Sequence, residues 1–354
     1  MGNVRMRRRS YALFMAVGLA VTSIGVISNA GASTTDKSHS AKVPLTIYAA
    51  EGYDSTVAKA FQAATGIPTT VYDAHTGIVL AKIQAELNNP QWGLVWIDGD
   101  MALAALDNQH MLLRGFEPKV SWTKTGLNFV PQDKSYIPTG YTVAGSIIYN
   151  SSTVKSPPKT WLALESKSFK GKFGILNPAI DGPAFPMVAG WGSQFGGVSA
   201  MEKYVTKLMA NGAQLFNAPA DELNALKQGT IQLAIAQSSY GIGVGTTNPN
   251  LKLSYPANAT PVPSVIGIDS KTSKTVQSEA KQFATFVLSK AGQHAMQTGD
   301  PVGDSLYWPV VQGVTPVPLV PSASKLPIKE LNPYVWGPRE NSVNSWFTTN
   351  VAVG

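Results

Sequence analysis

The chain has 354 residues, 44% apolar and 14% charged, with 24 prolines, 32 glycines and no cysteine. This excludes a disordered chain, a collagen-like repeat and a disulfide scaffold, and the missing thiol removes cysteine nucleophiles, cysteine-ligated zinc, Fe–S clusters and lipidated cysteine. The formal charge of +7 sits largely at one end: Arg5, Arg7, Arg8 and Arg9 are four of the 28 basic residues, so residues 33–354 hold 24 basic against 21 acidic, a net charge of +3 that removes the case for nucleic-acid binding.

Behind those arginines, Tyr11 to Val21 carry no charge, and Ala30-Gly31-Ala32 matches a small-residue cleavage pattern. Residues 1–32 therefore read as a secretory signal peptide. An uncleaved anchor is the alternative, since the apolar region approaches the ~18–20 residues that span a bilayer. With no cysteine to carry a lipid, a free periplasmic location is expected. The low charge density, filled by Ser, Thr, Asn and Gln, also suits a protein facing acid. Residues 33–43 are polar and aperiodic and read as a flexible leading segment.

The folded body is expected from Pro44. Leu45 to Ala49 is a short apolar strand, and Asp54 or Ser55 caps a helix with Val57, Ala60, Phe61 and Ala64 on one face, closed by Gly66. Thr69 to Tyr72 is a second strand, Thr76 caps a helix burying Leu80, Ile83 and Leu87, and a strand from Gly93 to Ile97 precedes a helix from Met101 to Gln109. Three strand–helix units in a row predict a largely parallel sheet, with ligands beyond the carboxyl ends of its strands. After an extended stretch from Pro138 to Tyr149, a second α/β unit follows: a strand at Lys172 to Leu176, helices from Ala184 and from Ala200 to Met209, a short helix from Asp221 to Lys227, and a strand from Ile231 to Ala236 leading into Gln237-Ser238-Ser239-Tyr240. A second extended run, Tyr255 to Asp269, precedes a helix from Thr275 to Ser289 and a proline-rich tail that ends in a short helix. Two extended passages between three blocks describe a chain that crosses between two lobes and returns.

Several positions suit ligand capture. Asp181-Gly182-Pro183-Ala184 lies between a strand and a helix, where free N–H groups and the helix dipole favour an anion; a plain turn that starts a helix is the alternative. His75-Thr76-Gly77 forms a second such junction, with a solvent-facing histidine as its alternative. Asp98 ends an apolar strand where it can meet a cation, or else Asp98 or Asp100 caps the following helix.

Tyr48-Ala49-Ala50-Glu51-Gly52, the strand into Trp96-Ile97-Asp98-Gly99-Asp100, Gly145-Ser146-Ile147-Ile148-Tyr149-Asn150 and the segment Gly229 to Tyr240, in that order over roughly residues 44–315, resemble an extracellular solute-binding protein of an ABC transporter. More narrowly they are similar to the ferric-ion-binding branch, which also holds organic-solute and phosphonate binders; Trp336-Gly337-Pro338-Arg339-Glu340-Asn341 is similar to terminal helices of that branch. The resemblance implies an α/β, two-lobed periplasmic-binding-protein fold (type II-like) with two mixed sheets, closing on a solute and delivering it to an inner-membrane permease. The lobes are expected at residues 44–140 with 263–315 and at 147–254, joined by crossover strands at Thr139 to Ser146 and Tyr255 to Val262, with residues 316–354 packing on one lobe.

The resemblance further implies that Gly182 and Ala184 bind an anion, that Asp98 supplies an acidic ligand, that Tyr240 matches the second of two iron-binding tyrosines, and that Asn217 and Gln237 surround the anion site. The first tyrosine falls at Ser239 and the family histidine at Gly52. Ferric ion is hard and wants several anionic oxygens, which Asp98 and Tyr240 alone do not supply without an exogenous anion. A small organic or phosphorus-containing solute fits better, with Tyr53, Trp96 or Tyr240 as aromatic surface and Glu51 or Asp98 as amine partners. The expected ligand-binding set is Glu51, Tyr53, His75, Thr76, Asp98, Asp181, Gly182, Ala184, Asn217, Gln237 and Tyr240, in a monomer with no cofactor beyond a metal ion or anion bound with the solute. No H-E-x-x-H, G-x-S-x-G, P-loop or dinucleotide fingerprint occurs, so no enzyme is expected; a hydrolase triad on His75 and a structural secreted protein remain the alternatives.

Overall fold

A computed structural model describes residues 42–352; the expected signal peptide and nearly all of the leading segment lie outside the described residues. The chain opens with strand β1 (Leu45–Ala49), helix α1 (Asp54–Thr65), β2 (Thr69–Asp73), α2 (Thr76–Ala85), β3 (Leu94–Asp98) and α3 (Asp100–Asn108). β1 pairs in parallel with both β2 and β3. Alternate residues of the strands face opposite sides. Leu45, Ile47 and Ala49 pack with Phe61 of α1, while Tyr48, Val95 and Ile97 pack with Val79 and Ile83 of α2 and Leu103 of α3. His75, not Thr76, occupies the position before α2, and no side chain caps that helix.

A short α4 (Lys124–Asn128) leads to the long strand β4 (Tyr136–Ala144) and then β5 (Ser146–Asn150). There follow β6 (Gly174–Leu176), α5 (Ala184–Phe195), α6 (Val198–Ala210), β7 (Gln214–Phe216), α7 (Pro219–Gln228), β8 (Leu233–Ala236), α8 (Ser238–Thr247) and β9 (Leu251–Ser254). The chain returns through β10 (Thr260–Ile268) and closes with α9 (Lys274–Val287), α10 (Lys290–Gly299), α11 (Pro333–Trp336) and α12 (Glu340–Asn350).

The first sheet has the order β2-β1-β3-β10-β4, with β10 antiparallel to β3 and β4, so only its first three strands meet the parallel expectation. The second combines antiparallel β8-β5-β9 with parallel β6-β7, bridged between Phe173 and Leu233. Both sheets are mixed and helix-flanked, which is the expected fold class.

Sheet membership changes at two places narrower than the expected crossover strands, because β4 stays in the first sheet to Ala144 and β10 rejoins it at Thr260. The outward step is Gly145, at φ 64°, where an added Cβ would lie 2.6 Å from Met187 Cγ, so only glycine fits. The tail corrects a second expectation: it does not stay on one lobe. Val317, Val320 and Ile328 pack on the core of the first sheet, Tyr334 packs beside α3, and Trp336, Val343 and Phe347 enter the core of the second. Among the described residues no helix is long and apolar enough to cross a membrane.

Candidate functional site

Parallel β1, β2 and β3 end at one edge of the first sheet, and the residues after them wall one side of a cleft of about 380 Å³: Glu51 and Gly52, Asp73 to Thr76, and Asp98. The opposite wall is Asp181, Gly182 and Pro183 before α5, with Gln237 and Tyr240 at the start of α8. Asp300 and Asp304, after α10, complete it. Behind lies a recess that shares Glu51, Asp98, Gln237 and Asp304 and adds Tyr53, Thr142, Ser264 and Tyr307.

The two walls touch. Gln237 Nε2 donates to Asp98 Oδ2 at 2.7 Å and to Thr142 Oγ1 at 2.7 Å. The Gly77 amide donates to the Ile180 carbonyl at 3.4 Å, and a Cβ on Gly77 would stand 2.4 Å from the Ala179 carbonyl oxygen. On the first lobe, the Gly52 amide donates to Asp304 Oδ2 at 2.8 Å and the Asp304 amide to Asp300 Oδ2 at 2.7 Å. Ser264 Oγ donates to Glu51 Oε1 at 2.5 Å and accepts from Tyr53 and Trp96, while the Thr139 hydroxyl donates to the Ser264 carbonyl at 3.2 Å. Glu51 Oε2 is buried without a partner.

The cleft is lined by six carboxylates (Glu51, Asp73, Asp98, Asp181, Asp300 and Asp304) and by no lysine or arginine. Burial, reinforced by Asp98 and Asp304, holds Glu51 well above the usual carboxylate range. Burial followed by Asp304 does the same for Asp98, opposed by the Gln237 hydrogen bond. Burial pushes Asp181 up to about 7 and Asp304 up to about 6. The Tyr240 phenol is raised by Asp304 first and by burial second. For the four acids burial is the leading cause, so each is held toward its protonated form, and a cation bound beside it would draw it back toward the carboxylate. At the same place three helices begin: Thr76 opens α2, Pro183 precedes α5 and Gln237 precedes α8, so three positive dipole ends meet the cleft.

Of the residues singled out from sequence, Glu51, His75, Thr76, Asp98, Asp181, Gly182, Gln237 and Tyr240 line this cleft, and Tyr53 lines the recess. Asp98 does not cap α3: Gly99 stands at that position and the Asp98 carboxylate meets Gln237. Two do not reach the cleft. Ala184 is buried and its amide is taken by Asp181 Oδ2 at 3.1 Å, because the acidic side chain caps its own helix start. Asn217 is exposed and accepts from Asn177 Nδ2 at 3.0 Å, bracing the turn that carries Asp181. Trp96 is core, its indole donating to Thr139 and Ser264. Ser239 is fully buried and lines neither space. Asp98 and Tyr240 both line the cleft, and among the described residues no cluster of three or more His, Cys, Asp or Glu is placed to hold an ion.

Asp73, Asp300 and Asp304 are cleft residues that sequence reasoning missed. Asp73 ends β2 as Asp98 ends β3, so the strand-end rule points to it once the strand is one residue longer. Asp304 meets Gly52 across 252 positions, with no local signal.

A family model described as bacterial extracellular solute-binding protein matches residues 56–328. A periplasmic protein of Salmonella typhi, named for 2-aminoethylphosphonate binding, is 31% identical over 272 residues, covering 73% of this chain and 74% of its own length. Among solved structures, iron-bound HitA from Pseudomonas aeruginosa superposes with a TM-score of 0.72 at 21% identity, covering 86% of this chain and 98% of its own. AfuA from Actinobacillus pleuropneumoniae, with fructose-6-phosphate bound, gives 0.71 at 20%, again covering 86% and 98%. These likenesses show a two-lobed periplasmic-binding fold.

Proposed function

The chain belongs to the bacterial extracellular solute-binding proteins, and from that premise we propose that it captures a small amine-bearing solute in the cleft and hands it to an inner-membrane ABC permease. The observation that carries this is the lining: six carboxylates and no basic side chain, faced by three helix N-termini. An ammonium in the cleft beside Glu51, Asp98 and Asp304 meets hydrogen-bond acceptors that no basic side chain there occupies, and would draw these acids toward their charged form. A phosphonate or carboxylate at the other end of the same molecule meets the starts of α2, α5 and α8, with the Thr76 hydroxyl and the Gly182 backbone beside it. A zwitterion of the aminoalkylphosphonate class satisfies both halves, and the name of the Salmonella relative supports that choice.

Capture works by differential contact: a solute held by both walls favours the arrangement in which they meet. The chain acts as a monomer, without cofactor, catalysis or nucleic acid. The six cleft carboxylates are the hard donors ferric ion wants, but among the described residues no three of them converge to hold one ion, and Tyr240 is the single phenol lining the cleft, so bare ferric ion fits less well. A thermal-shift series on residues 33–354 with 2-aminoethylphosphonate, inorganic phosphate, thiamine and ferric citrate tests this, because a ligand of the folded state raises the melting temperature. A rise with 2-aminoethylphosphonate and none with phosphate is expected; a rise with ferric citrate alone would overturn the proposal.

A further inference from the structure

A cavity of about 620 Å³ shares no lining residue with the cleft. It is walled by the start of α3, the segment after α4, the first residue of β4, Pro261 of β10 and the tail from Glu330 to Tyr334. Its volume lies within the roughly 300–1,000 Å³ of small-molecule sites. Phe129, Tyr136 and Tyr334 give it aromatic walls, and Pro131, Pro261 and Pro333 give it rigid apolar ones.

Three carboxylates, Asp100, Asp133 and Glu330, line the same space and no lysine or arginine does. Two are partnered: Asp133 pairs with Arg114 at 3.0 Å, and Glu330 Oε1 accepts from Asn128 Nδ2 at 3.1 Å. Asp100 is not. It is 8% exposed, no side chain bonds to it, and it meets only the backbone amides of its own helix start, at Asp100 and Met101. Burial, with Glu330 adding to it, pushes its carboxyl up to about 7. A buried carboxylate without a counter-ion is costly, and a bound cation removes that cost.

We propose that this cavity is a second ligand site, distinct from the cleft, that takes a small organic ammonium, with its charged nitrogen against Asp100 and its apolar body against Phe129, Tyr136 and Tyr334. Charge decides the sign of the ligand, because an anion would face three carboxylates here and the one helix start in this cavity is already taken by the Asp100 carboxyl. The aromatic walls decide its body, since an ammonium over an aromatic face is attracted by the ring quadrupole and a hydrated metal ion gains nothing from proline and phenylalanine.

Calorimetric titration of residues 33–354 with phenethylamine, and with phenylacetate as the anion of matching body, tests the site. Phenethylamine should bind and phenylacetate should not. Asp100→Asn should weaken phenethylamine at least tenfold, Asp98→Asn in the cleft should leave it unchanged, and Leu331→Trp, which fills the cavity, should abolish it. No binding of phenethylamine, equal binding of phenylacetate, or loss in Asp98→Asn with retention in Asp100→Asn would each overturn the proposal, the last by moving the ligand into the cleft.

Discussion

The cleft and the cavity behind α3 are both lined with carboxylates and without lysine or arginine, yet they are built differently. The cleft holds about 380 Å³, and its acids stand where three parallel strands end and three helices begin, tied by hydrogen bonds such as Gln237 to Asp98 and Gly52 to Asp304. The other holds about 620 Å³, walled by prolines and aromatic rings around an acid that meets only its own helix start. Volume therefore does not mark the proposed capture site. Chain topology does, because strand ends and helix starts bring oriented dipoles and carboxylates from both lobes to one place.

The difference breaks first at Asp98. Asp98→Ala removes a buried carboxylate shared between the lobes and should cost about 3 kcal/mol of solute affinity, on the order of a hundredfold by calorimetry, with the second cavity untouched. Retained affinity within threefold would take Asp98 out of the site.

Gly77→Ala comes next. The added methyl would meet the Ala179 carbonyl on the facing lobe, beside the cleft, so closure is hindered while the α2 helix itself gains propensity. Affinity should fall about tenfold with a melting temperature unchanged or raised, and a variant that binds normally would show that the walls need not meet.

Tyr240→Ala should weaken binding a few-fold while shifting the melting midpoint by only about 2 °C, as for a part-buried side chain at the edge of a core; unchanged affinity would remove Tyr240 from the site.

The smallest effect is on stability against pH. Asp181 and Asp304 titrate at about 7 and about 6 in the folded chain and at their ordinary 3.8 when unfolded. The folded state thus holds more protons over this window, so the ligand-free chain should lose stability as pH rises from about 4 to about 7 and level off above. Asp181→Asn should flatten that fall in a series of thermal melts, and a rise over the same window would contradict the burial of these acids.

Much of the first lobe was legible because its strands and helices alternate with clear apolar faces, and the strand-end rule led to Asp98 and the helix-start rule to Thr76 and Gly182. What stayed hidden has identifiable causes. The α8 sequence Ser-Ser-Tyr-Gly-Ile-Gly-Val-Gly-Thr-Thr has three glycines and four β-branched residues, so its propensity argues against the helix that packing imposes. Helix α10 follows α9 after only a two-residue break, at Leu288 and Ser289, so its own cap, Ser289 accepting from the Gly292 amide, reads as the end of the preceding helix. Trp96 sits in a strand buried at all five positions, where no alternation tells inward from cleft-facing. Asp300 and Asp304 read as turn residues, and only tertiary proximity to Gly52 reveals them.

Selection for positive charge is tested most directly by the ratio of two dissociation constants, for 2-aminoethylphosphonate and for ethylphosphonate, which differ only in the amine, measured by calorimetry on residues 33–354 at neutral pH. An ammonium among Glu51, Asp98 and Asp304 should make the amine-bearing compound tighter by at least about a hundredfold. Equal affinities, or tighter binding of ethylphosphonate, would contradict a cleft whose carboxylates select a cation.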